Sequence, residues 1–195
     1  KLPVDVNELG VDLLSLSGHK FHGPKGVGAL WIRGGTPITP LLRGGSHESR
    51  RRAGTENVAG IVGLGRACEL ARERLDEDVA RIRGLRDRLE SAIRARVEGG
   101  EFNGHPDQRL PNVVNVSFPG VDAELALMNL DVLGVTVSSG SACSSGSPEP
   151  SHVLLAMGRD RERAEGAIRM SLGRDNSEDE IDRTVDALHE VLERL

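Results

Sequence analysis

The 195-residue chain has no tyrosine, three phenylalanines and one tryptophan, so aromatic residues make up only 2% of it. A core built from such a sequence has to be aliphatic, from Leu, Val, Ile and Ala. Cysteine is scarce as well. Cys68 and Cys143 cannot make a disulfide framework, and a reducing, cytoplasmic compartment is the expectation. No apolar run approaches the roughly 20 residues of a membrane span, so no membrane partner is expected. Positive charge is not in excess: 25 Lys and Arg face 30 Asp and Glu, a net charge of −5. That balance argues against a nucleic-acid surface as the main function. An internal repeat, a nucleotide-binding glycine fingerprint and a visible signal peptide are also lacking. Lys1-Leu2-Pro3-Val4-Asp5 does not read as a natural start and leads within a few residues into a strand, so upstream sequence is expected.

What is present centres on Asp12 to Gly28. A short apolar run, Leu13 to Leu16, has strand length and breaks at Ser17-Gly18-His19-Lys20. Phe21-His22-Gly23-Pro24-Lys25-Gly26 rules out a regular element, and Val27 to Ile32 reads as the next strand. Lys20 therefore sits at a strand end beside Ser and His. An amine held at such a junction can be desolvated and its pKa lowered, which makes Lys20 a candidate Schiff-base former. Pyridoxal phosphate chemistry needs such a lysine, with hydroxyl and imidazole groups nearby for the phosphate. The plainer alternative is a turn lysine in a hairpin between two buried strands.

Three further segments carry chemistry. Arg50-Arg51-Arg52-Ala53-Gly54-Thr55-Glu56-Asn57 is either a solvated basic turn or an anion site, with arginines, a hydroxyl donor and a helix starting near Asn57. Ser138 to Pro150 is a Ser- and Gly-rich loop that holds Cys143 at its centre, the placement of a nucleophile that must travel; an incidental surface cysteine is the alternative. In Ala167 to Arg174 an alternating strand places Arg169 between apolar residues, as a bidentate clamp on a carboxylate or as half of a structural salt bridge.

The connecting elements read as scaffold. A helical pattern runs from Val58 to about Val97, with a bend expected at Asp76-Glu77-Asp78. Cys68 lies on its first apolar stripe, with Ile61, Leu64, Ala67 and Ala71, and is expected to be buried. Val113 to Phe118 alternates as a strand, Val121 to Leu130 as a short helix, and Val135 to Val137 as another strand. A short helix is expected over Val153 to Met157, and Ser177 caps a final amphipathic helix.

Four separated motifs now bear on one family. Ser17-Gly18-His19-Lys20 with Gly23 to Leu30, Arg52 to Asn57, Ser138 to Cys143, and Ile168 to Arg174 together resemble the cysteine desulfurases of the NifS/IscS type, within the class V aminotransferases. The likeness runs over essentially the whole chain in the family's order. The serine-rich cysteine loop is similar to that of the group I enzymes. Family members are about twice as long, so the chain looks like the C-terminal half of one. The ring-stacking histidine and the pyridine-nitrogen aspartate of the family fall in the other half.

The resemblance implies an α/β protein, a pyridoxal-phosphate-dependent transferase of fold type I, whose large domain holds a mainly parallel seven-stranded sheet. Residues 1–75 are expected to be the C-terminal part of that large domain plus the connecting helix. Residues 76–195 are expected to be the small C-terminal domain. Lys20 is implied as the Schiff-base lysine, Ser17 and His19 as phosphate ligands, and Thr55 as a donor to the phosphate of the other subunit of a homodimer. Arg169 is implied as the carboxylate clamp for L-cysteine and Cys143 as the nucleophile that ends as a persulfide. The sulfur then goes to an acceptor protein such as an iron–sulfur scaffold. No metal ligand is assigned. An aminotransferase of the same fold explains Lys20 and Arg169 but leaves Cys143 idle. A sulfur-carrier fragment uses Cys143 but leaves the lysine segment without a role.

Overall fold

The two apolar runs that bracket Lys20 fold as strands β1, Leu13–Ser17, and β2, Gly28–Ile32. They pair antiparallel, with Leu13 opposite Ile32 and Ser17 opposite Gly28. In this computed structural model, which describes residues 1–139 and 150–195, the hairpin belongs to the first of two compact units, residues 2–76; the second is residues 77–195. Neither strand is buried along its length: Leu13 and Leu30 are exposed. After the hairpin come α1, the single turn His47–Arg50, and α2, Val58–Glu73. Asn57 caps α2 by accepting the amide of Gly60, as its residue type favours.

The buried stripe of α2 is Gly60, Leu64 and Ala67. It packs on the segment that follows β1. A Cβ at Gly18 would lie 3.3 Å from Leu64 Cδ1 and 3.0 Å from the Val27 carbonyl, so only glycine fits there. Cys68, expected on this stripe, is instead exposed. One residue is about 100° of helical rotation, and the close approach at Gly18 and Pro24 selects the Leu64–Ala67 face over its neighbour. The expected bend also moves. α2 ends at Glu73, with Arg74 as its cap, and Asp76, Glu77 and Asp78 lie in the opening turns of α3, Leu75–Arg96. Carboxylates at a helix start interact favourably with its dipole, so the acidic cluster begins a helix there.

In the second unit α3 buries Ile82, Leu85, Leu89 and Ile93. The strands are β3, Glu101–Phe102; β4, Val113–Ser117; β5, Ser138–Ser139; and β6, Ala167–Ser171. They form one antiparallel sheet in the order β3-β4-β6-β5. The helices are α4, Ala123–Val132; α5, His152–Ala156; α6, Arg161–Glu165; and α7, Glu178–Arg194. Val114, Val116, Ile168 and Met170 line one face of the sheet and share a core with Leu89, Ile93, Leu130, Val185 and Leu188. This core is aliphatic, apart from Phe118, as the composition requires.

The strand expected at Val135 to Val137 is found instead just after it, at Ser138–Ser139. Gly134 adopts φ 80, its amide reaches the Asp131 carbonyl, and the Val135 amide reaches that of Leu130. This double bond pattern closes the end of α4 and keeps Val135 out of the ladder. Val135 and Val137 pack against the core instead. At α7 the Ser177 hydroxyl accepts the Glu180 amide while Glu180 accepts that of Ser177. Such a box contributes about 1 kcal/mol to holding the final helix. Among the described residues no helix is long and apolar enough to cross a membrane.

Ion pairs tie α3 to its neighbours. Arg88 makes a two-point bond to Asp182 on α7 at 3.0 and 2.7 Å, and Arg96 pairs with Asp186. Glu90 takes Arg94 at 2.8 Å and Arg109 at 2.5 Å. Burial pushes the Glu90 carboxyl up, but the hydrogen bonds from Arg94 and Arg109 and their charges outweigh it and hold its pKa below the ordinary glutamate range. A folded-state pKa below the unfolded one stabilises above the unfolded value and is lost as pH falls through the folded one. The expected result is that Glu90→Gln destabilises the fold by about 1–3 kcal/mol at pH 7. The difference from the parent should shrink steadily below about pH 4, the ordinary glutamate range. Urea titrations of both proteins at several pH values check this, and a difference independent of pH would refute it.

Candidate active site

The lysine segment is held by backbone geometry. After β1 the chain makes a 3₁₀ turn, Gly18–Phe21, which ends at His22 with φ 68. The Gly18 amide donates to the Val27 carbonyl at 2.9 Å, and the Gly23 amide returns to the Gly18 carbonyl at 2.9 Å. Gly23 is itself close to Ala67 of α2. The turn that carries Lys20 is therefore clamped between the start of β2 and α2. Within it the Ser17 hydroxyl and His19 Nδ1 are 3.0 Å apart. Ser17 is half-buried, and His19 and Lys20 are exposed. The residues of this unit do not themselves desolvate the Lys20 amine.

The arginine-rich loop has an unusual backbone. Glu48, Ser49 and Arg50 all have positive φ, at 51, 55 and 65. For residues with a Cβ, left-handed geometry costs roughly 1–2 kcal/mol each, and strain of this kind collects at functional loops. Arg43 and Arg50 both line a cavity of about 240 Å³ together with Pro40, Leu42, Gly44, Gly45 and Ser46. Arg52 is used locally, donating to the Ala53 carbonyl at 2.8 Å. Thr55 is exposed, two residues before the cap of α2. The chemistry of the loop, guanidinium groups beside open glycine backbone, suits an anion.

In the second unit Arg169 occupies the middle of β6. Its register partners are Asn115 on β4 and Ser138 on β5. Ile168 and Met170, on either side of it, face the core, so Arg169 and its partners share the opposite, polar face. Asn115 accepts a hydrogen bond from the buried Asn103, 2.8 Å away. Cys143 lies outside the described residues.

Ser17, His19 and Lys20 are thus brought together in the first unit, while Arg169 stands in the second. Reading Val113 to Phe118 only as an alternating strand passed over Asn115. An amide at mid-strand, opposite the strand that carries Arg169, was the available signal.

Comparison with known proteins places these segments in a family. The model of the aminotransferase class-V family matches residues 1–184. A protein named cysteine desulfurase IscS from Dictyoglomus turgidum is 52% identical over 194 residues, covering all of this chain and 49% of the relative. A solved NifS-like protein superposes with a TM-score of 0.89 at 42% identity, covering 100% of this chain and 50% of that one. A NifS-like protein from Rickettsia africae gives 0.88 at 33% identity, covering 98% and 50%. The chain spans about half the length of the curated relatives it matches.

Proposed function

The chain belongs to the class-V aminotransferase family, and from that premise we propose that it is the C-terminal part of a group I cysteine desulfurase. The whole enzyme takes the sulfur of L-cysteine onto Cys143 as a persulfide and releases L-alanine. The observation that carries the reading is the similarity, along the entire chain, to proteins named cysteine desulfurase. Residues 1–75 then contribute the end of the large cofactor domain and its connecting helix, and residues 76–195 the small domain. The rest of the large domain comes from sequence outside this chain.

The donor set at the end of β1 fits pyridoxal phosphate. A hydroxyl and an imidazole 3.0 Å apart suit its phosphate, and the next side chain along the turn is a primary amine. When bound, the cofactor supplies an electron sink for bonds at the carbons of an amino acid. Lys20 would hold the cofactor through its primary amine and would carry a proton to or from the substrate's carbon. Arg169 holds the substrate carboxylate through its planar fork. Cys143, as thiolate, attacks the substrate sulfur; the carbon–sulfur bond breaks, its electron pair and a proton go to the carbon, and alanine leaves. Thr55 completes the phosphate site of the second subunit in a homodimer. The persulfide sulfur passes to an acceptor protein, such as an iron–sulfur scaffold, in a cytoplasmic setting.

Incubation of the intact enzyme with L-cysteine and a reductant separates this reading from its rivals. The expected products are sulfide and alanine in equal amounts. Amino-group exchange with a keto acid and no sulfide indicates an aminotransferase, and neither activity indicates a carrier fragment.

A further inference from the structure

Beyond its first turn, α2 carries two glycines, Gly63 and Gly65. Glycine is a poor helix former, so its use in mid-helix calls for a reason such as a close neighbour. Gly65 has no such neighbour: it is exposed, and a Cβ added there would meet nothing within 4 Å. Gly63 is different. A Cβ there would lie 2.6 Å from Pro24 Cγ and 3.1 Å from Pro24 Cδ. Carbon atoms rest at roughly 3.5–4.0 Å, so the space over Gly63 is already filled. Both proline atoms belong to a ring closed on the main chain, so they cannot swing aside as the end of a long side chain can.

The notch at Gly63 belongs to one helix face. Gly60, Gly63, Leu64 and Ala67 recur at helical spacing, and the last three lie against the loop that carries Lys20. Gly63 receives the Pro24 ring, Leu64 approaches Gly18, and Ala67 approaches Gly23. The Gly18 carbonyl is the hub of that loop. It accepts the amides of His22 and Gly23, the latter at 2.9 Å. Pro24 reaches the hub as well, since its carbonyl would lie 3.1 Å from a Cβ at Gly18. Nor has Gly18 room to give, because the same Cβ would lie 3.0 Å from the Val27 carbonyl. Close-packed groups transmit displacement, so a push on Pro24 is passed to Gly18 and to the turn Gly18–Phe21 in which Lys20 stands.

We propose that Gly63 is a positioning residue for Lys20: the space left by its missing side chain seats the Pro24 ring and thereby fixes the turn that presents the Lys20 amine. The assignment rests on the reading of Lys20 as the amine that holds pyridoxal phosphate. Gly63→Ala and Gly65→Ala make the same chemical change in the same helix, with the same gain in helix preference, and only the first meets Pro24. Pro24→Ala removes the two crowded ring atoms and keeps a Cβ, which is 4.0 Å from the carbon added at position 63, an ordinary contact.

In the intact enzyme, the fraction of Lys20 peptide that borohydride links to pyridoxal phosphate is measured at limiting cofactor, together with the kinetics on L-cysteine. Gly63→Ala is expected to lower the linked fraction by about 10-fold and kcat by about 10- to 100-fold, with KM within about threefold, as suits a displaced reacting group and not lost substrate binding. Gly65→Ala should stay within about twofold of the parent, and Gly63→Ala combined with Pro24→Ala within about twofold of Pro24→Ala alone. Hydrogen exchange across residues 18–24 of the cofactor-free enzyme gives a readout independent of both. It should quicken by about 10-fold in Gly63→Ala and return on adding Pro24→Ala. Equal losses in Gly63→Ala and Gly65→Ala, no loss in either, or a loss that Pro24→Ala does not relieve overturns the role of Gly63. Should Gly63→Ala fold poorly, Pro24→Ala alone carries the test, since it empties the seat without adding an atom: a fall of about two- to fivefold in the linked fraction supports the seat, and an unchanged fraction overturns it. If the parent links no cofactor to Lys20 while exchange across 18–24 responds as expected, the reading of Lys20 falls and the seat stands. If the parent links cofactor to Lys20 and Gly63→Ala alters neither linkage nor exchange, that reading stands and this inference falls.

Discussion

Lys20→Ala is expected to abolish covalent retention of pyridoxal phosphate by the intact enzyme and to lower turnover of L-cysteine by about a thousandfold or more, the scale of losing a positioned proton carrier and nucleophile. The sequence narrows the choice of amine sharply: lysine occurs only at positions 1, 20 and 25 among 25 basic side chains. Lys25 competes on sequence grounds, since it lies in the same loop. Geometry separates the two. Lys20 sits in the 3₁₀ turn, adjacent to the bonded Ser17–His19 pair, whereas Lys25 lies beyond His22, past the left-handed residue that ends the turn. The turn itself depends on Gly18, whose backbone bonds survive the substitution, so Lys20→Ala should keep the local fold. Loss of activity is then chemical. Borohydride treatment followed by peptide mapping makes the test direct. A reduced cofactor adduct on the Lys20 peptide of the parent, and none in the variant, is the expected result. An adduct on the Lys25 peptide of the parent would overturn the assignment.

The local sequence carried much of this. The strands around Lys20, the helix start near Asn57, the mid-strand arginine and the Ser177 cap all follow from residue type and short-range pattern, and the structure has each of them. What it did not carry depends on tertiary choice. Cys68 and Ala67 are equally apolar neighbours on a helix, and only the close approach of Gly18 and Pro24 decides that Ala67 is covered while Cys68 is exposed. The strand expected at Val135 was displaced because Gly134 completed a helix-ending motif first. β3, a two-residue strand, was below the length at which alternation has a period to read. Asn115 was hidden for a different reason. Its meaning comes from a register partner more than 50 residues away, and register across a sheet is invisible to a pattern read along one strand.

Cys143→Ser in the intact enzyme is expected to bind L-cysteine with little change and to transfer almost no sulfur to an acceptor, a loss of about a thousandfold or more. Lys20, Arg169 and the phosphate donors are untouched by the substitution, so substrate capture and sulfur transfer should separate cleanly. A serine hydroxyl is a far weaker nucleophile toward sulfur than a thiolate, and it forms no persulfide that can be handed on. Because the thiolate is the attacking species, the parent rate should rise with pH through the Cys143 pKa. The exposure of Cys68 makes the control informative, since both thiols of the chain compete for reactive sulfur. Their sequence settings differ: Cys68 is carried on a regular helix, whereas Cys143 falls within the Ser- and Gly-rich run Ser138 to Pro150. Mass spectrometry after incubation with cysteine and no reductant should find a gain of about one sulfur atom on the Cys143 peptide, removed by a later addition of reductant. Cys68→Ser should label and turn over as the parent does. A label that persists on Cys68 in Cys143→Ser with normal sulfur transfer would show that the travelling nucleophile is the wrong cysteine.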